Sequence, residues 1–215
     1  RPLVGWLGGA KPLQPSRPMK GRVLIIAGSD SGGGAGIQAD IKAVTALRGF
    51  AMTAITALTA QNTLGVHGVM GVPIDFIRQQ IAVVLDDLGA DAIKTGMLHA
   101  VPVIEAVCDE LAARARGIPL VADPVMVAKG GHPLLAPDAV ETLKARLLPL
   151  ATVITPNLPE AEVLTGRPIR TLAEMREAAT ALRALGVPLF QGYLVGRPAL
   201  EALEGIAPVA WDGLD

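Results

Sequence analysis

Apolar residues in this chain recur in two rhythms, and the way these alternate predicts the fold. Val23 to Ala27 form an uninterrupted apolar run, short enough for a buried strand. Ile37, Ile41, Val44 and Leu47 then begin a helical period, predicting a helix over 36–48. A second strand is expected over 52–60, followed by a loop at Gly65-Val66-His67-Gly68. Ile77, Ile81, Val84, Leu85 and Leu88 make the next amphipathic stripe, with Asp75 as its expected cap. Ala92–Thr95 reads as a short strand, and 101–116 as a helix ended by Gly117. Pro119–Met126 predicts a strand that ends in an acid, with Gly130–Pro133 a loop after it. Asp138 to Leu148 reads as a helix with Val140, Leu143 and Leu147 inward. Thr152–Pro156 is a strand running into a helix at Asn157–Glu160, and Thr171–Glu174 is a capping box opening a helix to about Leu185. Strand and helix alternate throughout, which predicts an α/β sandwich on a mostly parallel sheet.

Between the first strand and its helix lie Gly28, Gly32, Gly33, Gly34 and Gly36, five glycines in nine positions. Glycine lets backbone come close to a ligand because it has no Cβ and accepts positive φ. Free N–H groups at the following helix start would favour an anion or a polar substrate edge. Gly34-x-Gly36-x-x-Ala39 fits the dinucleotide fingerprint in form, but residues 51–62 hold no acid to meet a ribose. No Gly-Lys-Ser/Thr follows either, so the phosphate loop of nucleotide triphosphatases is excluded.

Composition narrows the function further. The 215 residues suffice for one α/β domain with a real core. A net charge of −1 lacks the basic excess of a nucleic-acid binder. Residues are 51% apolar but only 3% aromatic, as suits a parallel sheet covered by helices. No apolar run approaches a membrane span, so no membrane partner is expected. The lone Cys108 sits in a helical pattern as a core hydrophobe and fits a reducing, cytoplasmic location. Residues 1–18 hold four prolines and three glycines without a period. They read as a disordered upstream extension, with Met19 as the natural start.

In open α/β sheets ligands sit beyond the carboxyl ends of the strands. The residues expected there are the loop Gly28–Gly36, Gln61, Gly96-Met97, Asp123-Pro124-Val125, and Asn157 with Glu160. Asp123 with Asn157 and Glu160 suggests a magnesium site, since Mg²⁺ keeps waters and needs one or two carboxylates plus phosphates. Asn157 and Glu160 also fit an ordinary helix cap. Gln61 offers a donor and an acceptor together, matching an amino group beside a ring nitrogen. Met97 and Val125 would line the ring, or simply pack in the core. His67, His99 and His132 are far apart and read as loop residues rather than a metal cluster.

Five segments carry a resemblance: Ala27–Asp40, Thr56–Thr63, Lys94–Leu98, Asp123–Met126 and Thr155–Ala161. In this order they resemble the hydroxymethylpyrimidine/phosphomethylpyrimidine kinases of the ribokinase-like superfamily, over residues 20–187. The resemblance implies a three-layer α/β/α sandwich and phosphoryl transfer from ATP, with Mg²⁺, to 4-amino-5-hydroxymethyl-2-methylpyrimidine and then to its monophosphate, in thiamine biosynthesis. It implies Gly28, Asp40, Gln61, Met97 and Val125 as pyrimidine contacts, Asn157 and Glu160 toward the nucleotide, and Asp123 and Glu160 toward the metal. A homodimer is compatible with it, since relatives are commonly dimers. Pyridoxal kinases share the superfamily, so a pyridoxal-type alcohol is the alternative substrate.

After residue 187 the sequence departs from the family pattern. Relatives continue into Lys-Gly-Gly-His, whereas Leu189–Gly196 places Gln191 at the lysine, and Val209–Gly213 resembles the strand and turn that follow. The family's Gly-Thr-Gly-Cys loop is not found before Asp215. The expectation is therefore one kinase domain over 19–215, truncated and divergent after 187, with turnover severely reduced or absent. A non-catalytic pyrimidine binder is the alternative.

Overall fold

The sheet is built outward from β1 (Arg22–Asp30), whose residues Leu24 to Gly28 are all buried. The structure is a computed structural model and describes residues 21–126, 134–136, 138–186 and 189–190. The chain proceeds through α1 (Gly36–Ala46), β2 (Phe50–Asn62), β3 (Gly65–Gly71), α2 (Ile74–Asp87), β4 (Ala92–Thr95) and α3 (Val101–Arg114). Then come β5 (Leu120–Ala122), α4 (Ala139–Thr142), β6 (Val153–Ile154), α5 (Leu158–Thr165), α6 (Leu172–Ala184) and β7 (Leu189–Phe190). The expected extension 1–18, the loop 130–133 with His132, and the segments at Gln191 and 209–213 lie outside the described residues.

Among the described residues the strands run β3-β2-β1-β4-β5-β6-β7, with only the β2–β3 pair antiparallel. The mostly parallel α/β architecture expected from the alternation is therefore present. Connections leave β1 first toward β2 and later return to β4 on its other side. That reversal opens a crevice at the carboxyl ends of β1 and β4, the switch point where such sheets hold ligands.

Register sorts the side chains onto two faces. Leu24 and Ile26 of β1 align with Met52 and Ala54 of β2 and with Ile93 and Thr95 of β4. Ile93 and Thr95 align in turn with Leu120 and Ala122, and Ala122 with Ile154. This face meets α2, α3, α5 and α6 in one continuous core that includes Ile77, Ile81, Ile104, Val107, Leu164 and Leu182. On the opposite face Ile25 and Ala27 pack against Ile37 of α1, with Val44 and Ile55 at the margin. Right-handed crossovers running in opposite directions from β1 place α1 on one face and the later helices on the other.

Several boundaries differ from expectation. Gly65–Gly68 belongs to a strand rather than a loop, because its backbone pairs with the end of β2 from Ala60 to Asn62. Backbone hydrogen bonding needs no apolar side chains, and Gly68 to Gly71 are all exposed. α1 stops at Ala46, and Ile41 and Leu47 of its expected stripe are 37% and 58% exposed, leaving Ile37 as its buried anchor. Pro73, not Asp75, holds the cap position of α2, and Asp75 lies within the first turn, where its charge complements the helix dipole. Only Ala139–Thr142 of the expected 138–148 helix is α-helical. It widens into a π turn at Leu143–Leu147 and tightens into a 3₁₀ turn at Leu148–Leu150, where Pro149 lacks an N–H to continue the ladder. Leu143 and Leu147 are buried as expected, while Val140 is half-buried. Cys108 is buried in the core, and burial pushes its thiol up to about 11, so it behaves as a packed hydrophobe.

Candidate active site

At the switch point lies a hollow of ≈ 340 Å³, within the usual range of small-molecule sites. The end of β1 contributes Gly28, Ser29 and Asp30, and α1 contributes Asp40. Thr59 and Gln61 come from β2, Lys94 and Met97 from β4 and the turn after it, and Asp123 and Val125 from beyond β5. Gly28, Asp40, Gln61, Met97, Val125 and Asp123 thus converge from five segments spread over about a hundred positions of sequence.

The glycine-rich bend is held from within by Asp30, while the first turn of α1 carries no side-chain cap. Asp30 is buried, and its carboxylate accepts the N–H groups of Gly32 (2.7 Å), Gly34 (2.9 Å) and Ala35 (2.8 Å). These three donors are therefore occupied from within, and the bend presents a held shape ahead of the uncapped start of α1. Gln38 braces it: its amide oxygen accepts from the Asp30 N–H at 2.8 Å, and its Nε2 donates to the Ser29 hydroxyl at 2.7 Å. Backbone dictates glycine at position 36, and Gly28 spares Met97 from shifting its end. A Cβ on Gly36, at φ +54°, would sit 2.4 Å from the Gly28 carbonyl oxygen. A Cβ on Gly28 would meet the Met97 methyl at 2.4 Å, so glycine lets Met97 lie over the strand end.

Gln61 is held on both its backbone and its side chain. The Ser31 hydroxyl donates to its carbonyl (2.9 Å) and accepts from its N–H (2.8 Å). The Thr59 hydroxyl donates to the Ser29 carbonyl at 2.9 Å and lies 3.3 Å from the Gln61 amide. This bracing limits the rotamers open to a group that would read a heterocycle edge.

Asn157 and Glu160 are placed otherwise. They close a reciprocal cap on α5: Asn157 Oδ1 accepts the Glu160 N–H at 2.9 Å, and Glu160 Oε2 accepts the Asn157 N–H at 2.9 Å. Neither residue lines the hollow. Glu160 is buried, and burial pushes its carboxyl up from the ordinary range, with Asp123 adding repulsion. The N–H groups of Asn157 and Met126 pull it back down. Among the described residues no group of three or more His, Cys, Asp or Glu side chains could hold a metal. Asp123, at 31% side-chain exposure and facing the hollow, suits the single carboxylate that a water-rich Mg²⁺ needs. Glu160, with both oxygens turned to backbone N–H groups, is less suited to direct coordination.

Lys94 was not singled out in the sequence. Its Nζ donates to Asp40 at 2.8 Å and pairs with Asp123 at 3.4 Å, joining the two halves of the hollow. A signal existed: a lysine inside a four-residue strand whose neighbours Ile93 and Thr95 are core is out of place unless it serves a site. His67 hydrogen-bonds Asn62 at 3.1 Å on the surface, and His99 is half-buried beside Gly71.

With this geometry in view, the comparisons with known proteins are decisive. The family model for phosphomethylpyrimidine kinase matches residues 30–190. The chain belongs to this family. A thiamine biosynthesis bifunctional protein of Geobacter sulfurreducens is 50% identical over 187 residues, covering 86% of this chain and 38% of that protein. A hydroxymethylpyrimidine/phosphomethylpyrimidine kinase of Bacillus subtilis is 52% identical over 165 residues, covering 77% of this chain and 60% of that protein. The chain thus spans less than two thirds of either relative. A crystal structure of phosphomethylpyrimidine kinase from Clostridium difficile superposes with a TM-score of 0.74 at 42% identity, over 82% of this chain and 77% of that one. A pyridoxal kinase from Staphylococcus aureus in complex with pyridoxal gives 0.72 at 37% identity, over 82% and 66%. Family membership and the ribokinase-like fold expected from the five motifs are both established by these matches.

Proposed function

We propose that this chain carries the substrate half of an ATP-dependent kinase for 4-amino-5-hydroxymethyl-2-methylpyrimidine and its monophosphate, in thiamine biosynthesis. The observation that supports this most is the convergence of Gly28, Asp40, Gln61, Met97 and Val125 in one hollow with Asp123. Met97 and Val125 supply apolar walls for a flat ring, and the braced amide of Gln61 offers a donor and an acceptor to its amino edge. Asp40, fixed by Lys94, accepts a hydrogen bond from a polar substituent. Asp123 faces the hollow and would hold Mg²⁺, which supplies charge neutralisation to the transferring phosphoryl group. Asn157 and Glu160 act by shaping the turn that opens α5. On this reading the enzyme acts in the cytoplasm, and a homodimer is compatible with it. Among the described residues no helix is long and apolar enough to cross a membrane.

Calorimetric titration with the aminopyrimidine alcohol tests the reading without relying on turnover. Binding is expected, and Gln61→Ala is expected to weaken it roughly tenfold or more. Binding of the alcohol unchanged by Gln61→Ala would remove the edge-reading role. ADP release on adding MgATP and the alcohol separates a working kinase from a non-catalytic binder. A second reading, phosphorylation of a pyridoxal-type alcohol, is supported by the likeness to the pyridoxal-bound kinase. Tighter binding of pyridoxal than of the aminopyrimidine would favour it.

A further inference from the structure

The geometry points to Lys94 as the residue that admits a phosphorylated substrate: its ammonium, clamped between Asp40 and Asp123, takes the phosphate of the pyrimidine monophosphate while the neutral alcohol binds without it. This inference rests on the pyrimidine reading above and concerns how one hollow accepts two ligands of different charge. The charged side chains lining the hollow are Asp30, Asp40, Asp123 and Lys94. Lys94 is the one cation among the described lining residues. Asp30 is already neutralised in effect by three N–H groups, so Asp40 and Asp123 dominate the field that an entering ligand meets.

A neutral alcohol meets little electrostatic penalty in such a field. A phosphate monoester carries close to two negative charges near neutral pH and is repelled by both carboxylates. An ammonium has three protons and no acceptor. Asp40 holds one at 2.8 Å and the Asp123 contact is longer at 3.4 Å, so among the described residues one proton has no acceptor and a second is loosely held. The side chain is only 21% exposed, which strengthens its charge relative to a surface lysine. Gly96 keeps room for it, since a Cβ there would stand 3.2 Å from Nζ. Asp40 thereby anchors the lysine while the Asp123 side is free to be exchanged for a ligand phosphate.

Calorimetric titration of the whole chain in metal-free buffer, with the aminopyrimidine alcohol and separately with its monophosphate, tests this. Lys94→Met is expected to weaken both ligands, because it frees Asp40, but to weaken the monophosphate at least about tenfold more than the alcohol. Lys94→Arg is expected to restore most of the monophosphate affinity. Added salt should weaken the monophosphate and leave the alcohol unchanged in the parent chain. An equal loss of both ligands in Lys94→Met would reduce Lys94 to a support for Asp40 and overturn the inference, as would no loss of either. If Lys94→Met does not fold, the arginine variant and the salt series decide, and equal salt dependence of the two ligands overturns it. A parent chain that binds both ligands, with Lys94→Met weakening them equally or not at all, sinks this inference alone. A parent chain that binds neither ligand sinks the pyrimidine reading together with it.

Discussion

Two strand-to-helix turns in this protein solve one physical problem with the same chemical group, yet only one of them builds the site. A chain that turns out of a strand toward a helix leaves backbone N–H groups without a ladder partner. After β1, Asp30 reaches forward and takes three N–H groups of the glycine-rich bend. After β6, Glu160 reaches back and takes the Asn157 N–H, while Asn157 returns the favour. The first turn lies at the reversal of strand order and lines the hollow, whereas the second lies two strands away and does not. The lesson is that a carboxylate at a strand end is not thereby a ligand. Its place relative to the switch point, and what already occupies its oxygens, decide that.

The largest expected effect comes from the tighter of the two turns. Gly36→Ala forces a side chain into positive φ and against the Gly28 carbonyl, and should lower stability by about 3 kcal/mol. A urea midpoint equal to that of the parent would show that the bend is looser than the structure has it. Asp30→Ala removes the acceptor of three part-buried N–H groups and should cost roughly 1–2 kcal/mol and also weaken the pyrimidine. Loss of stability with pyrimidine affinity intact would uncouple the bend from the hollow. Asn157→Ala should cost about 1 kcal/mol and leave pyrimidine affinity unchanged. A clear loss of pyrimidine binding in that variant would erase the distinction between the two turns.

Smaller effects concern pH. Glu160 has its carboxyl raised by burial, so the folded state holds its proton more tightly than the unfolded chain does. Its contribution is complete below the unfolded pKa and is lost as pH rises through the raised value. Glu160→Gln should flatten that alkaline-going decline in chemical denaturation. Asp91 has the opposite sign. Hydrogen bonds from Arg22 hold its carboxyl down at about 2, so its contribution is present above the ordinary carboxylate range and is lost as pH falls toward about 2. Asp91→Asn should flatten only the acid limb. An unchanged acid limb would show that this exposed pair adds nothing, which is common for surface ion pairs.

How far the site could be read in advance depended on the kind of residue. Gly28, Asp40, Gln61, Met97, Val125 and Asp123 all lay at predicted strand ends or early in the helix that follows, and all meet in the hollow. Lys94 escaped because its significance lies in parity: it faces away from the core that Ile93 and Thr95 enter. Asp30 escaped because a carboxylate among glycines looks like a ligand contact until its hydrogen bonds are known. β3 escaped because pairing through backbone leaves no trace in side-chain pattern, and Gly65–Gly68 reads as a turn.

Apolar rhythm alone determined that strands and helices alternate, and hence that the sheet is mostly parallel, because burial on both faces of a strand and on one face of a helix demands those spacings. Local chemistry likewise determined the caps at Asn157 and Thr171, which span only a few residues. Strand order, and with it the reversal that gathers Asp40, Gln61, Lys94 and Asp123 around one hollow, was decided only in three dimensions. Such contacts join residues far apart along the chain, and nothing in a local window records which of several strand ends will come to rest beside another.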